Sequence, residues 1–251
     1  MGKGKIGSDL NFLATLLNRE KLCSDTSPLY KAANELRARN DEAGVWGYNL
    51  QRLTFKNIEV PRGTEPSKVG QLTALLNVEI HERECDEHEI SNPIIVSNSN
   101  GVERKYIFSI EVFGLIETED DIDKIRSCWH LDFDSKDENE YIHPDFHLTF
   151  GGEVMSNMKL GQVLLLPSPR LPYPPMDAIL GVDFIIRNFI KKEKSFRILN
   201  DPQYKNAVKT SQERLWRPYM LATANHWCKF LGCSRETTNG LSQQYNPFLQ
   251  G

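Results

Sequence analysis

The chain has 251 residues, 39% hydrophobic and 25% charged, with a formal net charge of −4 and a pI of about 5.9. Those are the proportions of a globular protein able to bury a core without disulfides, and they exclude a uniformly basic nucleic-acid binder. The longest uncharged apolar runs, such as 178–182 and 184–186, fall far short of the ~20 residues that span a bilayer.

The N-terminus, Met1-Gly-Lys-Gly-Lys-Ile, has no apolar signal region, and Ser8 comes too late for a myristoylation pattern. Five cysteines (Cys23, Cys85, Cys128, Cys228, Cys233) are odd in number and scattered in spacing. That pattern favours reduced thiols and a cytoplasmic protein over a disulfide framework. Cys228 and Cys233 flank no second ligand pair, so buried structural thiols are the better reading there than zinc.

Residues 8–45 read as helical. Leu10, Leu13, Leu16 and Leu17 recur at helical spacing behind Ser8 and Asp9 as capping residues. Thr26-Ser27-Pro28 opens a second helix, with Leu29, Ala32, Ala33 and Leu36 as its apolar stripe and Gly44 as its stop. From 46 to 150 the pattern is that of strands. Leu72–Ile80 is apolar, Pro93–Val96 is short and β-branched, and Asn98–Gly101 is a turn. Residues 106–113 alternate in the period of a half-buried strand. Thr118–Arg126 reads as an acidic helix or loop, and 129–133 and 146–150 as two strands.

Residues 167–232 read as helical again. The run Pro167-Ser-Pro-Arg-Leu-Pro-Tyr-Pro-Pro175 is too proline-dense for regular structure. Behind it, 176–190 is apolar on nearly every side and is expected to be a buried central helix. A second helix follows Asp201-Pro202, with Pro218 interrupting or ending it, and a third covers about 221–231. The polar stretch 234–251 reads as a loose tail. Runs of strands and runs of helices, without alternation, predict an α+β fold: one domain, with a central antiparallel sheet flanked by N- and C-terminal helices.

One constellation carries chemical capacity. His130, Asp132 and Asp134 share a strand parity, as do His143, Asp145, His147 and Thr149. Pairing of the two strands gathers these polar side chains on one sheet face. His130, His143 and His147 could then hold a divalent metal such as Zn, Mn or Fe, with Asp132 and Asp145 beside them, and activate a water. A His–Asp pair could also act as a metal-free general base. Two plainer alternatives stand beside these. An antiparallel sheet with one wet face alternates by default, and the same face could bind a partner. No His-Glu-x-x-His helix, phosphate-binding glycine loop or nucleophile elbow accompanies the cluster.

Asp183 and Arg187 lie one helical turn apart in the most apolar helix and read as a structural pair. Gly151-Gly152 reads as a turn. Charge is segregated along the chain. Between 79 and 89, six acids face one Arg83; between 187 and 217, nine bases outnumber three acids. Arg170, Lys205, Lys209, Arg214 and Arg217 are the candidates for phosphate or for an acidic protein partner. The overall acidity and the lack of regular aromatic–basic interleaving tilt this choice toward the protein. Solvated helix faces and, for Arg170, a loop brace are the structural alternatives.

The order His143-Pro-Asp-Phe-His147-Leu, Gly151-Gly152, a proline-rich turn and Asp183-Phe-Ile-Ile-Arg-Asn-Phe189 resembles an uncharacterised bacterial family. Its members carry an H-P-x-x-H-L strand followed by a D-F-I-x-R-N-F helix, and their genes lie in mobile islands beside components implicated in phage defence. The resemblance covers roughly residues 129–192. It implies a bacterial cytoplasmic protein, one subunit of a defence assembly, and assigns no residue a role. The expected function is therefore an accessory subunit binding a protein partner. The alternative is a metal-dependent hydrolase or nuclease built on the His/Asp cluster.

Overall fold

The computed structural model describes residues 3–38, 45–83, 96–97, 103–104, 106–117, 122–133, 144–152, 155, 171–224 and 245–246. The fold is α+β: a six-stranded antiparallel sheet with helices packed on one face. Two helices open the chain, α1 (Lys3–Arg19) and α2 (Ser27–Ala38). The strands follow: β1 (Val45–Ile58), β2 (Leu72–Arg83), a two-residue ribbon of β3 (Val96–Ser97) and β4 (Glu103–Arg104), β5 (Ile107–Glu117), β6 (Ile122–Phe133) and β7 (Phe146–Phe150). After β8 (Leu171–Pro172) come α3 (Ala178–Phe189), α4 (Lys192–Asn200), α5 (Pro202–Ser211), a π-helical turn (Gln212–Trp216) and α6 (Arg217–Ala224). The sheet order is β1-β2-β5-β6-β7-β8, every neighbour antiparallel.

Side-chain period explains the layers. On β5, Phe108, Ile110 and Val112 point inward and are nearly fully buried, while Ile107, Ser109, Glu111, Phe113 and Leu115 point to the other face. The inward set meets Leu10, Leu13 and Leu17 of α1, Leu29, Ala32, Ala33 and Leu36 of α2, and Ile179, Val182 and Ile186 of α3 in one hydrophobic core. α3 lies close against the sheet: a Cβ on Gly181 would sit 2.8 Å from Leu76 and 2.9 Å from Phe108. The helix is capped by Asp177, whose carboxylate accepts from Leu180 N at 2.9 Å. Asp201 caps α5 in the same way, ahead of Pro202.

Several expectations need correction. Ser8 and Asp9 do not cap α1, which begins at Lys3; Asp9 is buried inside it and paired with Lys5 at 2.5 Å. Ile122–Arg126 is not helix or loop but the first half of β6, paired with β5 from Ile122↔Glu117 onward. The sheet runs past residue 150, because Leu171–Pro172 forms an edge strand on β7. Proline is tolerated there, since an edge strand needs no N–H on its open side. α4 was not foreseen as a separate helix. Pro218 does not end the helical run, since α6 continues through it, but the α-helical pattern is interrupted just ahead of it by the π-helical turn. Tyr245, in the stretch read as a loose tail, is 1% exposed and packs on Tyr219 at 5.0 Å. Gly44, Asn98–Gly101 and most of 225–251 lie outside the described residues. No helix among the described residues is long and apolar enough to cross a membrane.

Candidate functional site

The sheet face opposite the helices carries the polar constellation. β6 and β7 pair as their alternation requires, with Asp132 opposite His147 and His130 opposite Thr149. All four side chains share that outer face. Asp132 sits between the two imidazoles: its Oδ2 is 3.0 Å from His130 Nε2 and 3.9 Å from His147 Nε2. Only the first of these is a hydrogen bond.

The two histidines sit in different surroundings. His147 is 3% exposed, and its Nδ1 lies 3.2 Å from the Pro144 carbonyl. A carbonyl can only accept, so Nδ1 carries the hydrogen. His130 is pulled up to about 9 by its hydrogen bonds to Asp132 and then Cys128, which outweigh partial burial. It is therefore an imidazolium at neutral pH. A protonated ring donates; it neither ligates a metal nor abstracts a proton. The backbone confirms the crowding around it. Gly151 and Gly152 turn with φ of +99° and +77°, as the paired glycines suggest, and a Cβ on Gly152 would fall 2.7 Å from His130 Cε1.

Other predicted residues are placed differently. Asp145 lies in the bend leading into β7, outside the paired strand. His143, Asp134 and Arg170 lie outside the described residues. Among the described residues no group of three or more His, Cys, Asp or Glu is arranged to hold a metal. Lys205, Lys209 and Arg217 are exposed, with Lys205 and Lys209 one turn apart on α5. Arg214 is not on that surface: its side chain is 5% exposed and paired to Glu82 and Asp177. The acidic run is also split by strand parity. Glu79 faces outward, 3.2 Å from His81 Nε2, whereas Glu82 is turned into the core.

That buried pairing is a second polar centre that the sequence did not reveal. Arg214 projects from the π-helical turn between the carboxylates of Glu82 on β2 and Asp177 at the start of α3. Ser211 Oγ also donates to Asp177 Oδ2 at 2.9 Å, and the guanidinium lies 5.4 Å from the Trp46 ring centroid. Two tyrosines complete the anchorage of α3. Tyr48 OH accepts from Ala178 N at 3.0 Å, and Tyr106 OH exchanges hydrogen bonds with Met176 N and O at 2.8 Å. Burial raises the Asp177 carboxyl to about 6 against the bonds that favour its anion. The one legible signal was Asp177 itself, an N-cap residue ahead of an apolar run.

The structural pair of Asp183 and Arg187 is present, with Nε to Oδ2 at 2.8 Å, and Tyr204 OH donates to the other carboxylate oxygen at 2.9 Å. On the outer sheet face, Leu75 and Cys128 are buried in the middle, while Ile107, Leu115 and Ile122 stand exposed toward the strand ends. Compared with family models, curated proteins and solved structures, the chain matches none of them.

Proposed function

We propose that this chain is an accessory subunit of a bacterial multi-protein assembly, in the defence setting that the sequence resemblance implies. It binds a protein partner through the outer sheet face. The observation that carries this reading is the exposure of Ile107, Leu115 and Ile122 at 45%, 56% and 57% on one face. They stand among Glu111, Lys124, Arg126 and the His130–Asp132 pair. Apolar side chains set among charges are the make-up of an interface core and its rim. Size-exclusion chromatography with the products of the flanking genes tests it. Co-elution with one of them is expected, lost on Leu115→Glu with Ile122→Lys while the melting temperature holds. A chain that elutes alone with every neighbour refutes the reading.

A second reading, a metal-dependent hydrolase or nuclease, is supported by the position of Asp132 between His130 and His147. It requires His130 to lose its proton on metal binding. Elemental analysis and titration with Mn and Zn discriminate the two. Protein that neither carries nor takes up metal removes this version. A metal-free acid–base site would then have to show activity that His147→Ala abolishes with folding intact.

A further inference from the structure

We infer that the outer face of α4 and α5 is a track for single-stranded nucleic acid, with Phe196 as its stacking platform. The track is separate from the sheet face and does not depend on how that face is used. α4 buries Ser195 and Ile198 and turns Phe196 to solvent. At 60% exposure, Phe196 is the most exposed large hydrophobic among the described residues. Nothing in the packing of α4 requires an aromatic there.

Its neighbours form a line. Lys192 precedes Phe196 by one turn and Asn200 follows it by one turn, on the same helix face. Asn200 Oδ1 accepts from Lys205 Nζ at 3.2 Å, which carries the line from α4 onto α5. Lys209 lies one turn further, and Glu213, 3.6 Å from its Nζ, closes the far end. The order is thus cation, aromatic, amide, cation, cation. Two of the nearby acids are engaged elsewhere: Asp201 caps α5 and reaches Arg19 at 3.5 Å, and Glu59 pairs with Lys191 and Lys194; Glu193, in the first turn of α4, is the exposed acid beside Lys192.

The composition selects the occupant. Protein interface cores are depleted in lysine, and here three of the five positions are lysine. Lysine is a flexible point charge that follows phosphates of any sequence. An exposed aromatic ring between such charges offers a surface on which an unpaired base can stack. Bases in a duplex are already stacked and cannot use it.

Fluorescence anisotropy of the full chain with labelled oligothymidine and a duplex of equal length, at about 50 and about 200 mM salt, tests the track. The single strand is expected to bind several-fold more tightly than the duplex. Three neutralised phosphates give a slope of about −2 in log affinity against log salt. Lys205→Glu with Lys209→Glu should weaken binding about tenfold or more and flatten that slope. Phe196→Ala should weaken the single strand by roughly tenfold, with slope and duplex affinity unchanged. Unaltered thermal melts establish that each variant is folded. Duplex preference, absence of micromolar single-strand binding at low salt, or indifference to Phe196→Ala overturns the proposal. Tighter binding of polyglutamate than of oligothymidine also overturns it and assigns the face to an acidic protein.

Discussion

Gly152 holds its positive φ against the edge of the His130 ring, so the residue is constrained twice, by backbone and by space. Gly152→Ala should destabilise the chain by about 1–3 kcal/mol and displace His130 from Asp132. A thermal melt reads the first effect. The second appears as a lower His130 pKa in an NMR titration, because the bond to Asp132 is the main cause of its elevation. Arg214 is the residue with the larger consequence. Arg214→Ala would leave two buried carboxylates facing each other without their cation, a loss of about 3–5 kcal/mol by urea denaturation. In the sequence, Arg214 was indistinguishable from Lys205 or Lys209, because a basic residue on a helix reads as solvated until the helix is placed against the sheet. The His130–Asp132–His147 grouping was legible, since strand parity alone puts alternate residues on one face.

A sustained apolar period locates α2, α3 and β5, whereas a local irregularity leaves an element's pattern ambiguous. α2 carries a clean apolar stripe behind a start at Ser27, and α3 is apolar on nearly every side along the run behind the prolines. β1 changes register twice, between Leu50 and Leu53 and between Phe55 and Ile58, and so buries both odd and even positions. Arg52 and Asn57, with φ of +56° and +58°, mark these two places. The start of β6 was misread because its exposed Asp123 and Lys124 near the sheet's end give little apolar alternation. Helix α5 is tied to α3 by the bond from Tyr204 to Asp183. Tyr204→Phe should therefore weaken the packing of these two elements. The expected loss is about 1.5–3 kcal/mol, since the bond is to a charged acceptor. Hydrogen exchange would show it as faster opening of α5 than of β2.

For the molecule as a whole, Asp177 couples stability to pH. Its carboxyl titrates near 6 in the folded chain against an ordinary value of 3.8, so the folded state holds the extra proton between these values. Its contribution is fully present below about pH 4 and lost as pH rises through about 6. Asp177→Asn, which stays neutral, should gain stability relative to the native chain as pH rises from about 4 to about 6; paired urea titrations across that range measure it. An offset between the two proteins that stays constant with pH would show that Asp177 keeps its charge throughout.

Apolar period by itself determined the class of the molecule: helices at both ends, strands between them, and one polar sheet face. That information is local, because each residue's face follows from its neighbours along the chain. Only the tertiary structure decided which charges are buried. Arg214, Glu82 and Asp177 come from a π-helical turn, a strand and a helix cap separated by up to 132 positions. Ion pairs across such distances leave no periodic trace. Likewise, the outward turn of Phe196 depends on which side of α4 the helices α3 and α5 occupy, and no spacing within nine residues of helix can specify that.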